Sequence, residues 1–405
     1  MRIVLATFGS RGDVQPMLTL SLALESAGHD VLLAAPPEKA EWAEQLGCPF
    51  HPLGGDVTAF IDGMRDAHSI RSALRFISYV RKEMISQFDI FPKIIGGADL
   101  VVGSSLVFAL STVAESMGIG YRYIAFTPQL FPSSDHPFVA CKHQGLPWWY
   151  NRMTWRVAKM FDQLNLTWLI NKKRNQLGLK PVQDAWLHIL GQHVIVASDK
   201  VIAKVASDVE TAFTQTGYMH LDQPDQPLPK LEMFLRARPP PVYAGFGSMP
   251  KQDQASNVPM IVHAARSVGR RVVIGKFWDE PSELSDSDDV FFIKGYPHLK
   301  LFPHMAAVIH HGGAGTTASS AISGVPQIIV PHALDQYYWG HRVYQSHLGP
   351  RPIWRSRLTS QKLVAAIHEC LSNNLIRQKA HAASEMINRQ DSVEMTVREV
   401  LNPPD

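Results

Sequence analysis

Apolar residues in this chain fall into two alternating kinds of run. Short continuous ones, "RIVLAT" (2–7), "DVLLAAP" (30–36), "ADLVVGSS" (98–105), "GIGYRYIAF" (118–126) and "HVIVAS" (193–198), read as strands buried on both faces, the pattern of a parallel sheet. Longer stretches lie between them. In "MLTLSLALESA" (17–27) apolar side chains cover one broad helical face, with Pro16 suited to the first turn and Gly28 to the C′ stop. From residue 242 the alternation begins again. "PVYAGFGS", "RRVVIGK", "VFFIKGY", "AAVIHHGG" and "PQIIVP" predict strands, with helices reaching to about Val268 and starting near Thr316. The intervening "LDQPDQPLPKLEMFLRARPPP" is Pro-rich and lacks strong periodicity, as a linker does. The expected organisation is an N-terminal α/β unit (1–220), a linker (221–241), a C-terminal α/β unit (242–385) and a closing helical segment (386–405) that packs back on the first unit.

Composition narrows the classes. Of 405 residues, 45% are apolar and 19% charged, the balance of an ordinary globular protein, and the chain is long enough for two or more cores. A net charge of +3 is too mild for a nucleic-acid binder, whose basic residues cluster. Cys48, Cys141 and Cys370 are scattered and odd in number, which argues for buried, inert thiols in a reducing compartment. The N-terminal apolar run is too short for a signal peptide. "LVVGSSLVFALSTVA" (100–114) falls short of the ~20 residues that span a bilayer. The expected location is cytoplasmic. One region departs from the average. Trp148, Trp149, Trp155, Trp168 and Trp186, five of the nine tryptophans, lie among lysines and arginines. They read as packing mass, or, more sharply, as a wall over an apolar ligand or a membrane-touching surface.

Ligands of open parallel sheets bind beyond the carboxyl ends of the strands, so candidate chemistry is sought there. The second half offers "YAGFGSMP" with Ser248, "KGYPH" with Tyr296, and "VIHHGGAGTT". In the last, a buried strand ends at His310 and His311, Gly312, Gly313 and Gly315 follow, and a helix begins near Thr316. Free N–H groups at a helix start, with small residues allowing close approach, make an anion site. Thr316 and Thr317 can cap the helix and donate to phosphate, and a histidine adds a donor. "PHALDQ" places Asp335 and Gln336 at a further helix start, either as a cap or as hydroxyl-binding groups. In the first half, "GSRGDVQP" puts Asp13 in a Gly-rich turn where a phosphate would be repelled. Asp286, Asp288 and Asp289 precede a strand rather than follow one and read as a solvated turn, so no metal site is expected. His298, His304, His332 and His341 read as surface or loop histidines.

"GSRGDVQP", "HHGGAGTT" and "PHALDQ" together resemble the family 1 glycosyltransferases of the GT-B fold, closest to the branch of sterol glucosyltransferases and antibiotic glycosyltransferases. The resemblance covers nearly the whole chain, with residues 60–220 carrying little of it. It implies two Rossmann-like domains whose parallel sheets face each other across a cleft. It further implies that His310, Gly312, Ala314, Gly315 and Thr316 bind the donor pyrophosphate with Ser248. Tyr296 and Trp278 would meet the nucleotide base or ribose, and Asp335 and Gln336 the sugar hydroxyls. Ser10, Arg11 and Gly12 would approach the donor from the opposite domain. Asp13 falls where many relatives carry a catalytic histidine and becomes the general base. The implied reaction is inverting transfer of glucose from UDP-glucose, or of a sugar from a dTDP donor, to a hydroxyl of an apolar acceptor such as a sterol, polyketide, phenol or lipid. No cofactor or metal is required, and peripheral membrane contact is implied if the acceptor is a lipid or sterol.

Rival readings remain at this level. A nucleotide-sugar epimerase or hydrolase would share the phosphate loop, and a non-catalytic nucleotide-sugar-binding partner protein would share the whole donor site. A dinucleotide oxidoreductase fits poorly. The first turn reads G-x-x-G rather than G-x-G-x-x-G, and Ala35 and Pro36 stand where an acid should bind the ribose.

Overall fold

The computed structural model describes residues 1–55, 70–223, 228–237, 239–247, 251–275, 287–387 and 389–402. Ser248, Trp278 and Asp286 lie outside the described residues. Two all-parallel sheets organise the chain. The first runs β3-β2-β1-β4-β5-β6-β7, built from β1 (Arg2–Phe8), β2 (Asp30–Ala35), β3 (Phe50–Pro52), β4 (Leu100–Ser105), β5 (Gly120–Ala125), β6 (His193–Val196) and β7 (Ala212–Gln215). The second runs β10-β9-β8-β11-β12, from β8 (Val242–Gly245), β9 (Val272–Gly275), β10 (Val290–Ile293), β11 (Ala307–His310) and β12 (Gln327–Ile329). Every strand read from the apolar runs is present. The edge strands β3 and β7 are the additions, and both are short and only partly buried, so neither leaves an apolar run to read.

Both faces of each sheet are covered, which is why the strands are apolar on both sides. Ile3, Leu5, Leu33 and Val102 face one layer of the first domain, and Val4, Ala6, Val101 and Tyr123 the other. In the second domain Val242, Ala244 and Ile309 face one layer and Tyr243, Val273 and Val308 its opposite.

Eight of the helices shape the cleft and the surfaces around it. They are α1 (Arg11–Ser26), α2 (Ile70–Ile94), α3 (Trp148–Asp162), α4 (Trp168–Gln176), α5 (Pro229–Arg236), α6 (Ala314–Ile322), α7 (Gln336–Gln345) and α8 (Arg389–Leu401). Helix α1 starts five residues before Pro16, earlier than the sequence suggests, because Ser10 and Asp13 together terminate it. Pro16 then lies inside the helix and cannot donate to the Gly12 carbonyl four residues back. That carbonyl accepts instead from the Tyr218 hydroxyl at 3.4 Å.

The Pro-rich stretch 221–241 is not irregular throughout, since α5 forms within it. Leu231, Phe234 and Leu235 recur at i, i+3 and i+4 and pack on Tyr243, Phe302 and Val308. Helix α8 crosses back to the first domain. Val400 is buried with Leu5 and Val31, and Arg122 donates to the Asn402 carbonyl. Among the described residues no helix is long and apolar enough to cross a membrane. Cys48 and Cys370 are buried free thiols, whereas Cys141 is half-exposed.

Candidate active site

The carboxyl ends of both sheets converge on one cleft. From the first domain comes the β1–α1 turn. Asp13 stands at the third position of α1, where an acid can reach back to the N-cap residue. Its Oδ2 accepts from the Ser10 backbone N–H at 2.7 Å and from the Ser10 hydroxyl at 2.9 Å. Its Oδ1 accepts from the Ser105 hydroxyl at 2.6 Å. Gly9 makes this fold-back possible, since a Cβ there would lie 2.4 Å from Asp13 Oδ2. A carboxylate offers roughly four acceptor positions, two on each oxygen. Oδ2 has used both of its positions, and Oδ1 retains one.

From the second domain come the turns after β8, β11 and β12. The segment His311–Gly313 leads into α6, whose N-cap Gly313 provides no side-chain cap. The first N–H groups of α6 are therefore unspent and concentrate positive potential at the helix end. Gly312 holds φ +92°, and a Cβ there would sit 2.8 Å from Ile329 and 3.0 Å from the Gln336 carbonyl, so a larger residue would push the turn off its seat. The α6 terminus meets the first domain through Tyr218, whose hydroxyl lies against Gly315 while donating to Gly12.

The two histidines differ. His310 is 0% exposed; its Nε2 meets Gln327 Oε1 at 3.1 Å, and its Nδ1 accepts from the Gly312 N–H at 3.1 Å. Burial pulls it down to about 4, so it is neutral. With both ring nitrogens spent inside the fold, His310 braces the loop from beneath and does not present a donor to the cleft. His311 is half-buried, packs against Gly247 and Gly313, and has a buried Nδ1 with no partner. Burial first, and then neighbouring His310, His332 and His298, hold it well below the ordinary histidine value.

Asp335 is half-buried and accepts from Trp339 Nε1 at 3.1 Å. Burial, reinforced by the charge of Asp13 from the other domain, pushes it up to about 7. Gln336 is buried, and its side-chain oxygen accepts from the backbone N–H groups of His332 (2.8 Å) and Ala333 (3.1 Å), which leaves its amide nitrogen for a ligand. Leu334, just before this pair, is held at φ +49°, a strained conformation for a leucine.

An uncapped helix end, a fixed carboxylate opposite it and the carboxyl–amide pair of Asp335 and Gln336 beside it form one constellation. A model of the glycosyltransferase family 28 N-terminal domain matches residues 3–130, and one of the erythromycin biosynthesis protein CIII-like C-terminal domain matches residues 262–400. The vancomycin aglycone glucosyltransferase of Amycolatopsis orientalis is 35% identical over 374 residues, covering 88% of each chain. The chain is a glycosyltransferase. It is also 28% identical to a sterol 3-beta-glucosyltransferase of Arabidopsis thaliana, covering 98% of this chain and 67% of that one. Its fold is GT-B. The kitacinnamycin glycosyltransferase superposes with a TM-score of 0.75 at 18% identity over 98% of both chains, and the spinosyn rhamnosyltransferase complexed with spinosyn aglycone with 0.72 at 17%, over 99% of this chain and 100% of that one.

Within this glycosyltransferase the remaining expected residues divide. Arg11 projects from the first turn of α1 and stacks over Trp42 at 4.7 Å. Its charge is felt at Tyr243 and His298, so it reaches toward the sheet of the second domain. Burial lowers it from its ordinary value, and arginine stays charged regardless. Ser10 is committed to Asp13 through both its donors and is therefore a brace for the carboxylate rather than a free contact. Ala314 and Thr316 sit half-buried in the first turn of α6, and Tyr296 sits half-buried beyond β10.

His298, read from sequence as a surface histidine, is instead in the cleft wall, stacked on Phe302 at 4.4 Å and brought down to about 3 by burial and Arg11. His332 is also buried, against Phe246. Asp289 is not free. It accepts from Arg266 at 2.6 and 2.8 Å, and that pairing, before all else, takes it down to about 2. Among the described residues no group of three or more His, Cys, Asp or Glu is arranged to hold a metal ion.

Sequence reasoning missed Ser105 and Tyr218. Ser105 had a signal, because it closes β4 next to β1 in register with Phe8, at the strand end where ligands bind. It also holds φ +58°. Tyr218 had none, since only the tertiary fold brings it between Gly12 and Gly315.

Proposed function

We propose that this glycosyltransferase moves a hexose, glucose in the first instance, from a UDP- or dTDP-linked donor to a hydroxyl of an apolar small-molecule acceptor, by inverting single displacement with Asp13 as the base. The carrying observation is the Asp13 carboxylate, held by three donors with one acceptor position open on Oδ1, opposite the uncapped start of α6.

In the reaction the acceptor oxygen bonds to the anomeric carbon as the bond from that carbon to the diphosphate breaks. The acceptor proton passes to Asp13 Oδ1. The electron pair of the broken bond leaves on the diphosphate, where the N–H groups of α6, Arg11 and His311 would stabilise the charge. Asp335 and the Gln336 amide would bind sugar hydroxyls. On this reading the protein's own donors replace a divalent ion. The acceptor class is supported by relatives that are glucosyltransferases of vancomycin aglycone and of sterols and by a neighbour complexed with an aglycone, and the nucleotide donor by a neighbour complexed with dTDP.

The test is Asp13→Asn. Transfer should fall by about 10²–10⁴-fold, the usual weight of a general base, with UDP and dTDP affinity by titration nearly unchanged. Wild-type turnover in that variant would remove Asp13 from the role. A chelator should leave transfer unaffected, and a loss reversed by Mg²⁺ would show that a metal is needed after all.

A further inference from the structure

Helices α3 and α4 join through a π-helical turn at Gln163–Thr167 into one rod from Trp148 to Gln176. Its inner face is ordinary, with Asn151, Trp155, Thr167, Leu169, Ile170 and Arg174 buried. Trp155 donates to the His136 carbonyl. The outer face is not polar. Trp149, Met153, Val157, Phe161, Leu164 and Trp168 follow at three- and four-residue steps and are all exposed, Leu164 to 77%. Trp148 (63%) and Met160 (68%) widen the stripe. Exposed apolar side chains scattered singly need no explanation, but a contiguous row of this length on one helix face marks a contact surface.

Charge says what the surface meets. Between Trp148 and Gln176 the sequence holds six basic residues, Arg152, Arg156, Lys159, Lys172, Lys173 and Arg174, against a single acid, Asp162. Arg174 is buried on Glu115, Lys159 pairs with Asp184, and Arg152 stands 4.0 Å from Asp208, which leaves Arg156, Lys172 and Lys173 as the bases with most charge to offer. Cations stand over the exposed rings, with Arg152 over Trp148 at 5.8 Å and Lys172 and Arg81 over Trp168 at 5.5 and 5.7 Å. A second copy of the chain is a poor occupant, because two-fold pairing through this rod would set its bases against themselves. Aromatic and aliphatic side chains in the plane of a helix face, rimmed by Lys and Arg, match the boundary between lipid headgroups and acyl chains.

We propose that the α3–α4 rod docks this protein peripherally on an anionic phospholipid surface, the Trp149–Trp168 stripe entering the headgroup boundary and the flanking bases meeting lipid phosphates. The inference is independent of the identity of donor and acceptor. It has a geometric consequence, however. Lys173 of the rod lies over Phe88 of α2, and the neighbouring Gln87 bonds the loop that follows Ser105. The docked face is thus one helix layer from the residue that holds Asp13.

The test is flotation of the full chain with vesicles of phosphatidylglycerol and phosphatidylcholine, against phosphatidylcholine alone, at low and high salt, with tryptophan quenching by brominated acyl chains as a variant-free measurement. Expected are binding to the anionic vesicles that weakens with salt, and quenching on binding. The double variant Phe161→Glu, Leu164→Glu should lose at least tenfold in partitioning, since two apolar side chains leave the acyl boundary. Arg156→Glu with Lys172→Glu should weaken binding to anionic vesicles by about an order of magnitude or more. Both variants should keep the wild-type thermal midpoint. A wild-type chain that stays in the aqueous fraction overturns the proposal. So does quenching untouched by the substitutions, or an oligomer that the Phe161, Leu164 variant dissolves.

Discussion

Asp13 and Asp335 face one cleft from different domains, and their roles separate by what holds them. Asp13 is surrounded by donors; Asp335 accepts from the Trp339 side chain and from its own backbone, and feels the other acid. Ser105→Ala should free the second position on Oδ1 and let the carboxylate rotate. Its expected signature is a fall in kcat of about tenfold, the weight of one hydrogen bond to a charged group, with donor KM unchanged. Asp335 titrates near pH 7, so donor KM should rise as pH falls below that value, and Asp335→Asn should flatten the profile while weakening donor binding about tenfold. The linkage sign follows from the raised value. The folded chain holds this proton more tightly than the unfolded chain, so the group's contribution to stability is lost as pH rises from about 4 through 7. Thermal melts at pH 8 should therefore show Asp335→Asn more stable than wild type. A less stable variant at that pH would mean that Asp335 is ionised and well paired.

At the scale of elements, two helix starts face each other and are built in opposite ways. Helix α1 is capped by its own acid, Asp13, so its positive end is already answered. Helix α6 has a glycine cap and leaves its N–H groups open. One end therefore presents a carboxylate and the other a seat for an anion, which resolves why a Gly-rich turn carries an aspartate. Gly312→Ala should test the seat, since φ +92° and the 2.8 Å approach to Ile329 both oppose a side chain. About 1–3 kcal/mol of stability should go, read by denaturant unfolding, and nucleotide affinity should fall with it. His310→Ala should behave similarly, as loss of a brace, since His310 touches Gln327 and Gly312 rather than the cleft.

Across the whole molecule the cleft is closed by contacts that skip along the chain. Tyr218 bridges Gly12 and Gly315, His136 meets the Tyr338 ring at 5.5 Å, Arg342 pairs with Asp135, and Ser346 donates to the Ile202 carbonyl at 3.1 Å. Ile202 and Ala203 share a core with Tyr338, Trp339 and Val343 of α7. Helix α8 ties the chain end to the first domain, so the two halves are joined twice. Val400→Ala on α8 should cost about 2 kcal/mol and be felt in the melting of the first domain, against which the side chain is buried.

Much of this was legible in one dimension. Buried parallel strands are continuous apolar runs, so the two sheets and their order of elements could be read directly, as could the turn "HHGGAGTT" with its open helix start. The sequence by itself determined which residue types stand at strand ends, because that depends on local period and punctuation. It could not decide which of two adjacent histidines faces the cleft. Alternation along a strand puts His310 and His311 on opposite sides, and only the packing of Gln327 under the loop assigns His310 inward. Nor could it pair Asp13 with Ser105, 92 residues away, or leave the α3–α4 stripe uncovered. Those facts belong to tertiary structure, because hydrogen-bond partners and exposure are set by what the fold brings near, not by what the chain places next.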